Sequence, residues 1–185
     1  MVKLLVFAVL SVALAYISRF SLRLPRSHGF HRFFAWEFIL ALFLINMDVW
    51  FQSPVAWFQL TSWFLLCTSL VLLVQGIQLL TSEGRPAGNH RGETHLYAFE
   101  RTSSLVTTGI FSYIRHPMYS SLLFLAWGVY FKAPAVMWPS GFLVLAATGC
   151  LIAAAVADEA ECLSYFGTAY QEYMKRTKRF VPFLF

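Results

Sequence analysis

Apolar residues fall in five long runs, at 2–17, 33–51, 55–80, 117–131 and 134–157, with polar and charged residues gathered between them. Runs of this length and apolarity predict membrane helices. At 1.5 Å per residue the second, third and fifth can cross a hydrocarbon core roughly 30 Å thick, whereas the first and fourth are shorter; the fourth covers only about 22 Å. Only Lys132 and Ala133 separate the fourth run from the fifth, so the two form a hairpin. The polar, glycine-bearing stretch "TSEGRPAGNHRGETHLYAFE" (81–100) has no apolar periodicity and predicts a loop. Beyond Ala157 the pattern changes, with Leu163, Phe166, Tyr170, Tyr173 and Thr177 at intervals of three and four and charges between them. That spacing predicts an amphipathic helix, with Asp158 and Glu159 at its start and Lys175 and Arg176 at its end in the order the helix dipole favours. Two readings of this helix stand open: an anchor on the membrane surface, or a wall of a site. The expected fold is an all-α integral membrane bundle of about five transmembrane helices followed by a C-terminal cytoplasmic amphipathic helix.

Composition strengthens the membrane reading. The 185 residues are 58% hydrophobic and only 12% charged, against about a quarter charged in a soluble globule. The formal net charge of +5 would suggest nucleic acid on a soluble protein. Of the 14 basic residues, however, only Lys3 and Lys132 lie outside the segments 18–32, 81–116 and 158–185. Such clustering orients a membrane protein with the basic segments inside, so membrane lipids are the expected partner and nucleic acid is not. The N-terminus is expected outside, the C-terminus and any site near it on the cytoplasmic face, and the bacterial inner membrane is the preferred location. "MVKLLVFAVLSVALAY" also has the look of a cleavable signal peptide, but its positive excess follows the apolar run at Arg19, Arg23 and Arg26, which favours a retained helix.

Candidate chemistry is concentrated near the end of the chain. Cys67, Cys150 and Cys162 lack CxxC spacing, and His28, His31, His90, His95 and His116 match no recognised ligand pattern, so no metal is expected. Gln75 and Gln78, one turn apart, either line a polar cavity or bond to a neighbouring helix. In "IRHPMY" (114–119), Pro117 is suited to the first position of a helix. A helix start with Arg115 and His116 beside it either binds an anion or lets Arg115 reach lipid phosphates. The hairpin returns the chain to the same face, where Arg115, His116 and Tyr119 can meet Asp158, Glu159, Tyr170 and Arg179. A cofactor carrying both a carboxylate and a cationic centre suits such a site.

The segments "LVTTGIFSYIRHPMYSS" (105–121) and "DEAECLSYFGTAYQEYMKRTKRFVPF" (158–183) resemble the isoprenylcysteine carboxyl methyltransferases and their relatives, the phospholipid N-methyltransferases. The family pattern is LVxxGxYxxxRHPxY, then EExxLxxxFGxxYxxY, then an arginine and a proline. The resemblance covers about 105–182; it implies one methyltransferase domain over 1–185, with a variable part to residue 100 and a cofactor-binding core from 101 on. It implies S-adenosylmethionine as cofactor and a lipophilic or lipid methyl acceptor. By position it assigns the cofactor to Ser103, Leu105, Val106, Phe111, His116, Pro117, Met118, Tyr119, Asp158 and Glu159, catalysis to Arg115, His116 and Glu159, and the acceptor to Ala154, Tyr170 and Arg179. Ser103 stands where the family often has histidine, Phe111 where it has tyrosine, and Ala154 where isoprenylcysteine methyltransferases carry a substrate-binding arginine. That last departure points from a carboxylate acceptor toward an amine, a thiol or another lipophile. A non-catalytic lipid- or partner-binding protein with the same fold is the alternative, and a membrane reductase sharing an RHPxY-like segment is a third reading.

Overall fold

The computed structural model of the chain describes residues 1–84, 102–134 and 138–182. Among these residues the regular structure is helical: α1 (Val2–Ile17), α2 (His28–Asn46), α3 (Trp57–Ser82), α4 (Pro117–Tyr130), α5 (Trp138–Phe166) and α6 (Thr168–Arg176), with short 3-10 turns at Ser21–Arg23, Met47–Val49 and Gly109–Ser112. The predicted loop lies outside the described residues from 85 on, including His90 and His95; its first two residues, Thr81 and Ser82, are the last of α3.

Two boundaries differ from the hydropathy pattern, each for a local reason. α2 begins five residues early because Ser27 caps it, its hydroxyl accepting from the Phe30 N–H at 3.2 Å. This draws His28, His31 and Arg32 into the first turns of a helix. α4 starts at Pro117 as expected, with His116 as its cap. α5 does not stop where its apolar run stops. Residues 158–166 contain no glycine or proline, so the helix continues to Phe166 and is broken at Gly167, whose φ of 57° is easily reached only without a side chain. The acidic turn is therefore a rigid extension of a long apolar helix, and the helix expected to start at 158 is divided between the end of α5 and the separate α6.

Two helices, α3 and α5, are long and apolar enough to cross a membrane, and α1 is apolar but shorter. Leu60, Phe64, Leu70, Val71, Phe142, Leu145 and Val156 are exposed along the two long helices, an apolar surface far larger than a water-soluble chain leaves uncovered. With them, the chain is a membrane-associated helical protein. α4 lies between α3 and α5, α2 packs on α4 and most extensively on α5, and α1 rests against α2. The core is built in two layers. One joins Ile39 and Leu42 to Ala126, Val129, Val144 and Ala147; the other joins Ala35 to Tyr119, Leu151, Ala154, Ala155 and Phe180.

Small and polar side chains hold the helices together where apolar transfer contributes little. Ser62 donates to the Gly128 carbonyl at 2.6 Å, Ser69 to that of Ser121 at 2.7 Å, and Asn46 to that of Val129 at 3.0 Å. Gly128 allows this approach, since a Cβ there would stand 2.9 Å from the Leu66 side chain. Lys132, in the short connection between α4 and α5, is fully buried. Its ammonium donates to Gln59 at 2.9 Å and stands 3.4 Å from the centroid of the Trp63 ring; the indole face and the amide replace water around the charge.

Candidate active site

The site forms where the segment before α4 meets the end of α5 and the chain after α6. Residues 113–116 are paired with the C-terminal segment by backbone bonds: Lys178 N–H to the Tyr113 carbonyl at 3.0 Å, Arg115 N–H to that of Lys178 at 2.7 Å, and His116 N–H to that of Arg179 at 3.1 Å. Ser120 adds a hydroxyl bond to the Phe180 carbonyl at 2.9 Å, and Tyr173 one to that of Phe111 at 2.7 Å. The two halves of the sequence pattern are thus fastened together as backbone.

At the centre is Glu159, its side chain only 5% exposed. Its Oε1 accepts from Arg115 Nε at 3.0 Å and Nη2 at 2.9 Å and from Arg179 Nε at 3.0 Å, while Oε2 accepts from Arg179 Nη2 at 2.9 Å. Arg115 Nη1 donates to the Met174 carbonyl at 3.2 Å and to that of Thr177. Arg115 therefore does not extend toward lipid phosphates: its donors tie α5 to the chain after α6.

Beside this cluster is a narrow cleft with a cavity volume of about 90 Å³. Leu105, Val106, Phe111, Pro117, Met118 and Tyr119 line it from the segment before α4 and the first turn of α4, with Arg115 and His116 at its edge. Asp158, Cys162 and Phe166 line it from α5, and Tyr170 and Tyr173 from α6. Burial pushes both tyrosine hydroxyls above their ordinary pKa, so they remain neutral.

His116 stands between two carboxylates. Its Nδ1 lies 3.3 Å from Asp158 Oδ2 and its Nε2 3.5 Å from Glu159 Oε1. Burial alone would lower its pKa, but the Asp158 and Glu159 carboxylates outweigh burial and hold it above the ordinary 6.5. Nε2 is buried and faces Glu159, behind the cleft wall.

Four residues expected at the site stand elsewhere. Glu159 is not in the cleft wall. Successive helical residues project about 100° apart, so Asp158 faces the cleft while Glu159 faces the arginines. Arg179 is held on Glu159 and likewise lies behind the wall. Ser103 is displaced by its neighbour: the buried Thr102 lines the cleft, and the Ser103 N–H bonds to the Gly84 carbonyl at 3.0 Å. Ala154 is 0% exposed in the core beside Ala35 and Leu151 and is not among the residues lining this cleft; its small side chain serves the packing of α2 on α5. Gln75 and Gln78 line a separate open groove with Ser82, Ser112 and Tyr113.

Sequence reasoning missed His28. It lines the same cleft, and its Nδ1 hydrogen-bonds Glu161 Oε2 at 2.8 Å. The Ser27 cap signals that His28 opens a helix, but no pattern links position 28 to 158–161.

No curated protein and no solved structure matches the chain. One family model does, that of the phospholipid methyltransferases, over residues 64–163. The matched segment carries most of α3, all of α4, the 105–119 wall of the cleft and the acidic turn of α5. Since it spans more than half of the 185 residues, the chain belongs to the phospholipid methyltransferase family.

Proposed function

We propose that this protein is an S-adenosylmethionine-dependent methyltransferase that acts on a lipid acceptor from the cytoplasmic face of a bacterial inner membrane. The observation that carries the reading is the cleft, where a carboxylate, a buried histidine and a largely apolar wall converge beside membrane-spanning helices. These groups fit the methyl donor. Asp158 would face its cationic part, and Val106, Phe111 and Phe166 would pack on its ring system. When bound, S-adenosylmethionine supplies an electrophilic methyl group. The protein's own contribution is to hold donor and acceptor in line and away from water, worth roughly 7 to 11 kcal/mol of the barrier. Glu159 and Arg179 would position the wall, with Arg115 joining them to the cleft.

An amine headgroup is the favoured acceptor. The family is named for phospholipids, and position 154, a buried alanine, offers no cation to a carboxylate substrate. Five helices spanning with the N-terminus outside agree with the placement of charge. Lys3 pairs with Asp48 at 2.5 Å at one end of the bundle, whereas Arg115, Arg179 and the acidic turn occupy the other.

Equilibrium binding of labelled S-adenosylmethionine to the purified protein in lipid nanodiscs tests the cofactor assignment. Wild-type protein is expected to bind, and Asp158→Ala and His116→Ala to bind at least about tenfold more weakly, the loss of one charged hydrogen bond. Wild-type protein that binds none in lipid contradicts the assignment.

A further inference from the structure

The open side of α3 is apolar along Leu60, Phe64, Leu70, Val71 and Val74, all exposed, and turns polar at the exposed Gln75 and Gln78. At 1.5 Å per residue these two stand about 27 and 32 Å from Trp57, the first residue of the helix. They therefore lie at the edge of a hydrocarbon core about 30 Å thick. A bare amide is costly in hydrocarbon, so at this depth an exposed glutamine is satisfied by water or by the polar part of a lipid. Gln75, Gln78 and Ser82 fall at i, i+3 and i+7, one stripe of the helix, and with Ser112 and Tyr113 they line the open groove beside the cleft.

Groove and cleft share a wall. On α3, Leu80 lines the cleft and Leu79 the groove; one turn earlier Gly76 packs on the cleft side, where a Cβ would stand 3.2 Å from the Met118 side chain. In the segment before α4, Phe111 lines the cleft while its neighbours Ile110 and Ser112 line the groove. Gly109 seats this segment on α3: its φ is 55°, and a Cβ there would lie 2.7 Å from the end of the Leu79 side chain. The groove is the roomier of the two, about 820 Å³ against about 90 Å³ for the cleft. Its polar lining among the described residues is made of amides and hydroxyls. Such groups donate to the ester and phosphate oxygens of a phospholipid. None of them is a carboxylate that would hold a headgroup ammonium back from the cleft, where Asp158 stands.

We propose that this groove is the docking site of the acceptor lipid, with Gln75 and Gln78 holding the glycerol-ester and phosphate oxygens of a phospholipid so that its headgroup lies against the wall shared with the cleft. The donor is then held by the 105–119 segment and α5, and the acceptor by the end of α3. This rests on the methyltransferase reading above and adds to it the two residues that hold the acceptor.

The test measures labelled methyl transfer in mixed micelles of phosphatidylethanolamine and dodecyl maltoside, a diluent with neither ester nor phosphate, together with S-adenosylmethionine binding in the same micelles. Both glutamines are exposed, so Gln75→Leu, Gln78→Leu and the double variant are expected to fold. Each single variant should raise KM for the lipid about threefold and the double variant about tenfold, the loss of one and of two hydrogen bonds. Values of kcat and donor binding should stay within about twofold of wild type. A double variant with the wild-type KM overturns the inference, as does kcat or donor binding lost in proportion to KM. A second measurement uses phosphatidylethanolamine with a diazirine on an acyl chain beside the glycerol ester. Wild type should crosslink within residues 75–82 and the double variant several times less; crosslinks confined to other segments overturn the inference. Wild-type protein that binds the donor but methylates only a soluble amine overturns the inference and leaves methyl transfer standing. Wild-type protein that binds no donor removes the methyltransferase reading, and the acceptor role of the groove with it.

Discussion

Replacing Glu159 by alanine is expected to destabilise the protein by about 3 to 5 kcal/mol, the cost of breaking a buried ion pair from one side. The carboxylate is the shared acceptor of Arg115 and Arg179. Without it two guanidinium groups face each other in a buried setting, and the tie from α5 to the C-terminal segment is lost. Because that segment is paired through backbone bonds with residues 113–116, His116 loses its placement too. Denaturant unfolding of purified protein should show the midpoint fall, with donor binding lost in the same preparation. Glu159→Gln, which keeps an acceptor oxygen, should be intermediate. An alanine variant as stable as wild type would show that the arginines hold the segment unaided.

Ala154→Arg is expected to be worse, leaving little folded protein. The residue is 0% exposed and packs among Ala35, Tyr119, Leu151, Ala155 and Phe180. A guanidinium has no room there, and its desolvation costs several kcal/mol on top of about 1 to 3 kcal/mol for overpacking. Ala154→Ser adds one oxygen and should fold. The variant matters because arginine at this position distinguishes enzymes that bind a prenylcysteine carboxylate. Folded Ala154→Arg that methylates prenylcysteine would show that the core adapts and that this one residue decides the acceptor.

Much of the architecture is legible in the sequence because membrane helices announce themselves by length and apolarity. α1 has the bounds expected of it, α4 begins at Pro117, and the two motif halves meet. What hydropathy does not show is where a helix ends once its residues become polar. The apolar run stops at Ala157, but helix propensity does not, and α5 carries Asp158, Glu161 and Cys162 onward as one rigid piece. The same limit hides the start of α2, which is set by a serine cap and not by apolarity. Lys132 reads as a surface charge because the chain order gives no hint that Gln59 and Trp63 enclose it.

Within the site, motif matching identifies the acidic turn but not which carboxylate does what. The division follows from helix geometry, with Asp158 toward the cleft and Glu159 toward the arginines. Ser103 and Ala154 match motif columns by position, yet one yields its place to Thr102 and the other is packing. His28 escapes entirely, since its relation to Glu161 spans 133 positions and exists only once α2 lies on α5.

The most direct test of the account is transfer of label from methyl-labelled S-adenosylmethionine to extractable phosphatidylethanolamine by the purified protein in lipid nanodiscs, with Asp158→Ala as control. Label is predicted in the lipid fraction as mono-methylated headgroup, with Asp158→Ala well below wild type. Donor bound by the wild-type protein with no label in any lipid, amine or thiol acceptor would contradict it, and would leave a binding protein built on a methyltransferase fold.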